Sequence, residues 1–548
     1  MKIMCRSFVD GFYRDKRIQI KKKQWIIFFI FNTGFQRLNR FTSLLVIFLF
    51  HDYFIFKENE MKKIVLLMMM ALAVFSLFAE GTRENFEAKD PNTESGVKYV
   101  FMFIGDGMSS PEINAAQVYN GSNTPGLIAI EPLTFTQFPV VGIQYTQDAT
   151  SFCPDSASTA TSLSSGYKTH SGVIGLGIDK STRGETIAEK LKREKDWKIG
   201  VVSSVTINHA TPAAYYAHVV SRNSYYDIGL QMAESGFDYF AGGLVNKAEK
   251  EGEKSIYEVL KDNGYLVTND RDTILSLNNK SGKVYAYTST PQDSGSLTYR
   301  IDRKEGELSL ADYVRKGIDV LYNENGFFLM CEGGKIDWAG HANDALANIG
   351  DTLDLDDAVK VAFDFALQHP SETLIIVTGD HETGGMTIGY AATGYNTAFD
   401  ILRNQKCSYV AFDSMINAEK KNGTYTFDRL MEIVNDNFGL WYGENGTDST
   451  LALNDYEYSK LKKAYEDDLS GNVKTGYEES SRLYGGYNAV SVTLTHIINN
   501  KAGIGWTSFS HTGLPVPVYA YGVGSEAFSG SYDNTEVAKK LFALCDVE

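Results

Sequence analysis

Five apolar runs of β-type residues punctuate the chain: Tyr99–Ile104, Ile199–Ser203, Phe327–Cys331, Thr373–Thr378 and Val516–Tyr521. Between them the apolar positions switch to helical spacing. Leu355, Val359, Ala362, Phe363 and Ala366 share one face of a helix predicted over Asp354–Gln368. Ser110-Pro111-Glu112 offers a cap, a proline in the first turn and an early acid, so another helix is predicted from there. Apolar runs alternating with helical patterns predict an α/β fold: a central, mostly parallel sheet flanked by helices on both faces, with insertions. Asn223–Gly326 carries further helical and strand patterns that would complete the sheet. Met386–Thr507 is tyrosine-rich, with helical patterning over Tyr425–Phe438 and Tyr456–Leu469. It reads as an insertion (386–507) within one catalytic domain over residues 80–548, since no repeat or low-complexity linker divides the chain.

The N-terminal region stands apart. Met61-Lys62-Lys63, the mostly apolar Ile64–Phe78 and Ala79 have the order of a secretory signal peptide, read over residues 61–79. The 60 residues before it are basic and rich in Phe and Ile, and their apolar runs, Trp25–Phe31 and Leu44–Phe50, are too short to span a bilayer. Residues 1–60 are therefore read as a non-native extension, with Met61 as the true start. This predicts an exported protein, periplasmic or extracellular, with no stable membrane span in the mature chain. Removing residues 1–79 changes the formal charge from −16 to −24, with 39 basic against 63 acidic residues. So acidic a chain argues against a nucleic-acid binding module or an anionic membrane partner. It also repels anionic substrates at long range, so a phosphate site here needs metals and arginine to make its own positive field. Four cysteines remain, Cys153, Cys331, Cys407 and Cys545, too widely spaced to give a disulfide framework. Cys153 and Cys331 are read as small buried fillers; pairing of the other two is left open.

Candidate chemistry falls just after the predicted strands. Asp106 follows the first run, Glu332 and Asp337 the third, and Asp380-His381 the fourth; His209 and Thr211 come after Ile199–Ser203. Ligands of open parallel sheets bind beyond the carboxyl ends of the strands. Asp337 and His341, four apart, would face the same way on a helical turn, a workable spacing for two zinc ligands. His511, in Ser510-His511-Thr512-Gly513, precedes a proline-flanked strand. Ser156 opens a run of small residues at a predicted helix start, where backbone N–H groups favour a phosphate. No Gly-x-Ser-x-Gly word surrounds it, but a serine without a neighbouring base becomes a nucleophile when a metal lowers its pKa. Arg222 offers the bidentate guanidinium that a phosphoryl group in a metal site needs.

Six words together make the chain resemble the alkaline phosphatases: Gly105-Asp106-Gly107-Met108, Asp155-Ser156-Ala157-Ser158-Thr159-Ala160-Thr161, His209-Ala210-Thr211-Pro212-Ala213, Glu332-Gly333-Gly334-Lys335-Ile336-Asp337, Thr378-Gly379-Asp380-His381 and His511-Thr512-Gly513. They occur in the family's order and span about Tyr99 to Gly524. The resemblance implies hydrolysis of small phosphate monoesters to phosphate and an alcohol. It assigns Ser156 as the nucleophile that becomes a phosphoserine, and Arg222 as the clamp on the phosphoryl oxygens. Asp337, His341 and His511 would hold one zinc, and Asp106, Asp380 and His381 a second. Asp106, Thr211 and Glu332 would hold a magnesium. A homodimer is also implied, with the insertion near its crown.

Two positions depart from the enterobacterial form of the family. His209 stands where that form has aspartate and Trp338 where it has lysine, a combination similar to that of marine bacterial enzymes. Imidazole near the third site opens it to zinc or cobalt as well as magnesium. Trp338 removes a positive charge, so weaker product retention is expected. Sulfatases, phosphodiesterases and phosphonate hydrolases of the same superfamily are the nearest alternatives, but Ser156 lacks a Ser-x-Pro-x-Arg context. A non-catalytic exported binding protein is a further one, against which the intact Ser156 and Arg222 argue.

Overall fold

The computed structural model describes residues 96–548 apart from 125, 444, 445, 447 and 472–477; the signal-peptide and extension readings fall outside the described residues. Among the described residues fourteen strands are formed: β1 (Tyr99–Gly105), β2 (Val140–Tyr145), β3 (Lys198–Ser203), β4 (Tyr239–Gly242), β5 (Tyr265–Thr268), β6 (Lys283–Tyr287), β7 (Phe327–Glu332), β8 (Thr373–Gly379), β9 (Glu382–Thr383), β10 (Thr387–Ile388), β11 (Ile504–Gly505), β12 (His511–Thr512), β13 (Val516–Gly522) and β14 (Gly530–Asp533). Ten make one sheet in the order β14-β2-β13-β8-β1-β7-β3-β4-β6-β5. Within it, β13 alone runs antiparallel to its neighbours. The sheet is mostly parallel, with helices on both faces, and β4, β5 and β6 from the Asn223–Gly326 segment extend one side of it.

The unbroken apolar runs follow from this burial. Every residue of β1, β7 and β8 is buried. Alternate side chains serve opposite faces: Tyr99, Phe101 and Phe103 enter one core, and Val100, Met102 and Ile104 the other. A strand needed by two cores has no position left for a polar residue. The first core is closed by helices Leu310–Leu321 and Ala345–Ala366, the second by Ser156–Ser165, Ile187–Lys195 and Thr535–Cys545. In the 386–507 segment, helices Tyr409–Asn422, Phe427–Phe438, Asp455–Ser470 and Ala489–Ala502 pack Phe412, Leu430 and Leu494 into the same core as Phe101.

Several boundaries differ from expectation. The helix predicted from Asp354 begins nine residues earlier, at Ala345, capped by the Asp344 carboxylate. Its early turns escape an apolar count because they bury Asp351 and Asp354, the latter bonded to Arg303. The helix predicted from Ser110 has Ser109 as its cap, whose N–H donates to Glu112 at 2.7 Å. Strands β2 and β14, at one end of the sheet, lie outside the apolar runs, because β2 exposes Val141, Ile143 and Tyr145 and mixes Gly142 and Gln144 among them. Cys153 is exposed, contrary to the filler reading: it lies in the loop that turns outward between β2 and Ser156, beside exposed Phe152. Cys331 is buried in β7, and Cys407 and Cys545 are buried free thiols.

Phe101 is fully buried and meets Phe327 edge-on at 5.3 Å. Phe101→Ala is expected to cost about 3–5 kcal/mol, read as a lowered guanidinium midpoint. A loss below about 1 kcal/mol would contradict this packing account.

Candidate active site

Parallel pairing brings the acids together. In register, Ile104 pairs with Glu332 and with Thr378, and Gly105 with Gly379. Asp106, Glu332 and Asp380 therefore leave three neighbouring strands at one level. Gly107, at φ 72°, turns the chain after Asp106 so that its N–H donates to Asp380 at 3.2 Å. A Cβ there would stand 2.9 Å from the Asp337 backbone, so glycine alone permits this approach. The seven-residue helix Lys335–His341 carries Asp337 and His341 one turn apart. Antiparallel pairing of β12 with β9 sets His511 opposite Thr383. His209 caps the turn Ala210–Ala213, which holds Thr211.

Three groups of potential ligands result: Asp337, His341 and His511; Asp106, Asp380 and His381; and Asp106, His209 and Glu332. In the first, each Nδ1 faces a backbone carbonyl, Phe509 at 2.7 Å from His341 and Pro154 at 2.6 Å from His511. A carbonyl only accepts, so both Nδ1 atoms carry the proton and both Nε2 atoms present lone pairs. These Nε2 atoms lie 3.1 Å apart, and 3.4 and 3.5 Å from Asp337 Oδ1. Acceptors converging without a proton repel; a cation among them turns repulsion into coordination. The donor set fits a metal ion.

The second group adjoins the first, the His381 and His511 rings stacking at 3.7 Å. Here His381 Nε2 is 3.2 Å from Asp106 and 3.5 Å from Asp380. Ser156, first residue of its helix, places Oγ 3.1 Å from His381 Nε2 and 3.3 Å from Asp106. In the third, His209 Nδ1 and Glu332 Oε1 are buried without a hydrogen-bond partner, and Thr211 Oγ1 lies 3.4 Å from Asp106. Orphaned buried donor atoms in an acidic pocket again suit a cation. Arg222 Nη1 bonds Asp155 at 2.9 Å, tying it to the residue that caps the Ser156 helix. Trp338 stands edge-on to His209 at 5.8 Å, over the buried ammonium of Lys335.

All twelve predicted residues are thus placed around one site. Spacing gave no sign of several supports. Thr383 donates to Asp337 at 2.5 Å, Thr159 to Asp380 at 3.1 Å, and Ser203 to Glu332. Lys335 lies within a recognised word, yet its contacts with Ser296 and the Tyr299 ring depend on a distant loop.

Burial dominates the electrostatics. It pushes Glu332 up to about 8, and, with the Asp337 charge, Asp380 up to about 7. It also holds His209 down at about 3 and lowers His381 and His511. Neutral imidazoles beside crowded carboxyls are the forms that bind metals.

A family model for alkaline phosphatase matches residues 97–246 and 236–547. Alkaline phosphatase 3 of Bacillus subtilis strain 168 is 31% identical over 492 residues, covering 88% of this chain and 96% of its own. Among solved structures, the cold-active enzyme of a psychrophilic Shewanella shows 27% identity and a TM-score of 0.67, covering 81% of this chain and 99% of its own. A mutant of the TAB5 alkaline phosphatase, with magnesium bound in its M3 site, shows 25% identity and a TM-score of 0.57, covering 83% of this chain and 100% of its own. Fold and site define a metal-dependent phosphoryl-transfer hydrolase. The chain belongs to the alkaline phosphatase family and is a phosphomonoesterase.

Unfolded Glu332 and Asp380 ionise at 4.5 and 3.8, whereas the folded, metal-free site keeps them protonated to about 8 and 7. From pH 7.5 to 8.5 His209, His381 and His511 are almost wholly neutral in both states, because burial lowers their folded values and their ordinary 6.5 lies a unit below that range. The folded state then binds more protons, so stability falls as pH rises. Chelator-treated protein is expected to show a falling urea midpoint across this range, and zinc plus magnesium to remove the slope. A flat or rising midpoint without metal would contradict it.

Proposed function

We propose that phosphomonoester hydrolysis proceeds here through a covalent phosphoserine on Ser156, supported by two zinc ions and a third metal. The observation that carries this reading is the position of Ser156 Oγ against His381 and Asp106, inside a ligand cluster and at a helix N-terminus. Asp337, His341 and His511 would hold one zinc and Asp106, Asp380 and His381 the other. Asp106, Glu332 and Thr211 suit magnesium, the ion named for the TAB5 neighbour, while His209 widens the choice to zinc or cobalt. When bound, such ions stabilise charge on the entering and departing oxygens and favour the ionised hydroxyl.

The chain's own residues do the remainder. Backbone N–H groups at the start of the Ser156–Ser165 helix face the incoming phosphate. Asp155 holds one edge of the Arg222 guanidinium, leaving its other N–H donors for phosphoryl oxygens. Ser156 Oγ forms the bond to phosphorus as the alcohol leaves; water then breaks that bond and phosphate is released. Two in-line displacements give net retention. Contacts gathered on the transferred group imply tolerance of many alcohols.

We further propose export through the 61–79 signal, testable by N-terminal sequencing of the native protein, and a homodimer, testable by sedimentation. Among the described residues no helix is long and apolar enough to cross a membrane.

The central test is turnover of a chromogenic phosphate monoester, lost with chelator and restored by zinc plus magnesium. Ser156→Ala is expected to lower kcat by about 10³-fold or more and to abolish acid-trapped radiolabel. Label retained on that variant, or a diester turned over faster than the monoester, would sink the reading. Trp338→Lys adds a cation beside the site and is expected to tighten inhibition by inorganic phosphate about threefold. Unchanged or weaker inhibition removes the charge argument.

A further inference from the structure

Asp148 lies outside the ligand clusters and none of the six family words contains it, yet its carboxylate accepts five hydrogen bonds. It is 9% exposed and sits three residues beyond β2, at the root of the loop leading to Ser156. Oδ1 accepts from Thr150 N at 2.6 Å, Thr150 Oγ1 at 2.8 Å and Ser151 N at 2.7 Å. Oδ2 accepts from Ser158 Oγ at 2.9 Å and Ser171 Oγ at 2.5 Å.

The two bonds to Oδ2 reach different parts of the phosphate-binding apparatus. Ser158 is in the first turn of the nucleophile helix; its N–H donates to Asp155, the partner of Arg222, and its one hydroxyl proton is shared between Asp148 Oδ2 and Asp155 Oδ1. Ser171 precedes Gly172, whose carbonyl accepts the Arg222 N–H at 2.7 Å. Thr150 closes the circuit, its hydroxyl accepting from Ser171 N at 3.2 Å. Arg222 is therefore gripped at its guanidinium through Asp155 and at its backbone through Gly172, and one carboxylate fixes the spacing between the two grips.

We infer that Asp148 is a positioning residue for phosphoryl recognition, setting the Arg222 clamp relative to Ser156 without touching substrate. Hydrogen bonds from hydroxyls to a sheltered carboxylate are strong enough for this, and small misplacement of an oriented clamp is costly. The inference rests on Arg222 being the phosphoryl clamp.

The test is a double-mutant cycle on the metal-loaded enzyme, with Asp148→Asn, Ser171→Ala and Arg222→Ala and their combinations. The readouts are kcat/KM for a monoester, the inhibition constant of inorganic phosphate, and thermal midpoint. Asp148→Asn is expected to lower kcat/KM about tenfold and to weaken phosphate inhibition, with Ser171→Ala about threefold and in the same direction. Both effects should vanish in the Arg222→Ala background. Equal losses with and without Arg222, or a lowered midpoint with unchanged phosphate inhibition in Ser171→Ala, would overturn the role of Asp148 alone. An Arg222→Ala enzyme with unaltered phosphate inhibition would remove the clamp assignment, and this inference with it.

Discussion

The register of three adjacent parallel strands governs this molecule. Because β8, β1 and β7 pair in step, the residues leaving their carboxyl ends must emerge together, whatever their separation in the chain. Asp106, Glu332 and Asp380 lie more than 200 residues apart along the chain at the extremes, yet backbone hydrogen bonds set them side by side. A slip of one residue would send every side chain of β1 into the opposite core and take Asp106 out of the site. The two hydrophobic cores therefore stabilise the fold and also fix the position of its chemistry.

What gathers at that edge is unfavourable by itself. Asp106, Glu332, Asp337 and Asp380 are buried, and the imidazoles of His341 and His511 turn unprotonated nitrogens toward each other. Burying carboxylates without counter-charge is costly, and the raised pKa values of Glu332 and Asp380 express that cost. The surrounding sheet and helices hold the groups in place despite it. This is preorganisation for cations: Nδ1 bonds to Phe509 and Pro154 aim the rings, and Thr383 and Thr159 aim the carboxylates.

The same logic extends to Ser156 and Arg222. Asp155 serves at once as the cap of the Ser156 helix and as partner of Arg222, so the Ser156 hydroxyl and the guanidinium share one anchor. Asp148 and Ser171 steady that anchor from outside. The order runs from the strand ends to the ligand cluster to the Ser156 helix to Arg222, each held by the layer before it.

Much of this was legible without coordinates. Runs such as Thr373–Thr378 announce doubly covered strands because no polar residue survives burial on both faces, and the words after them mark the active end of the sheet. The spacing of Asp337 and His341 gave a shared helical face, since helix geometry is local. Tertiary structure alone decided the rest. Whether His209 joins the third ligand group, which carbonyls accept the Nδ1–H of His341 and His511, and where the helix of Asp351 and Asp354 begins all depend on partners supplied by distant segments. Local periodicity records which side of an element is buried; only packing records what each buried polar atom meets.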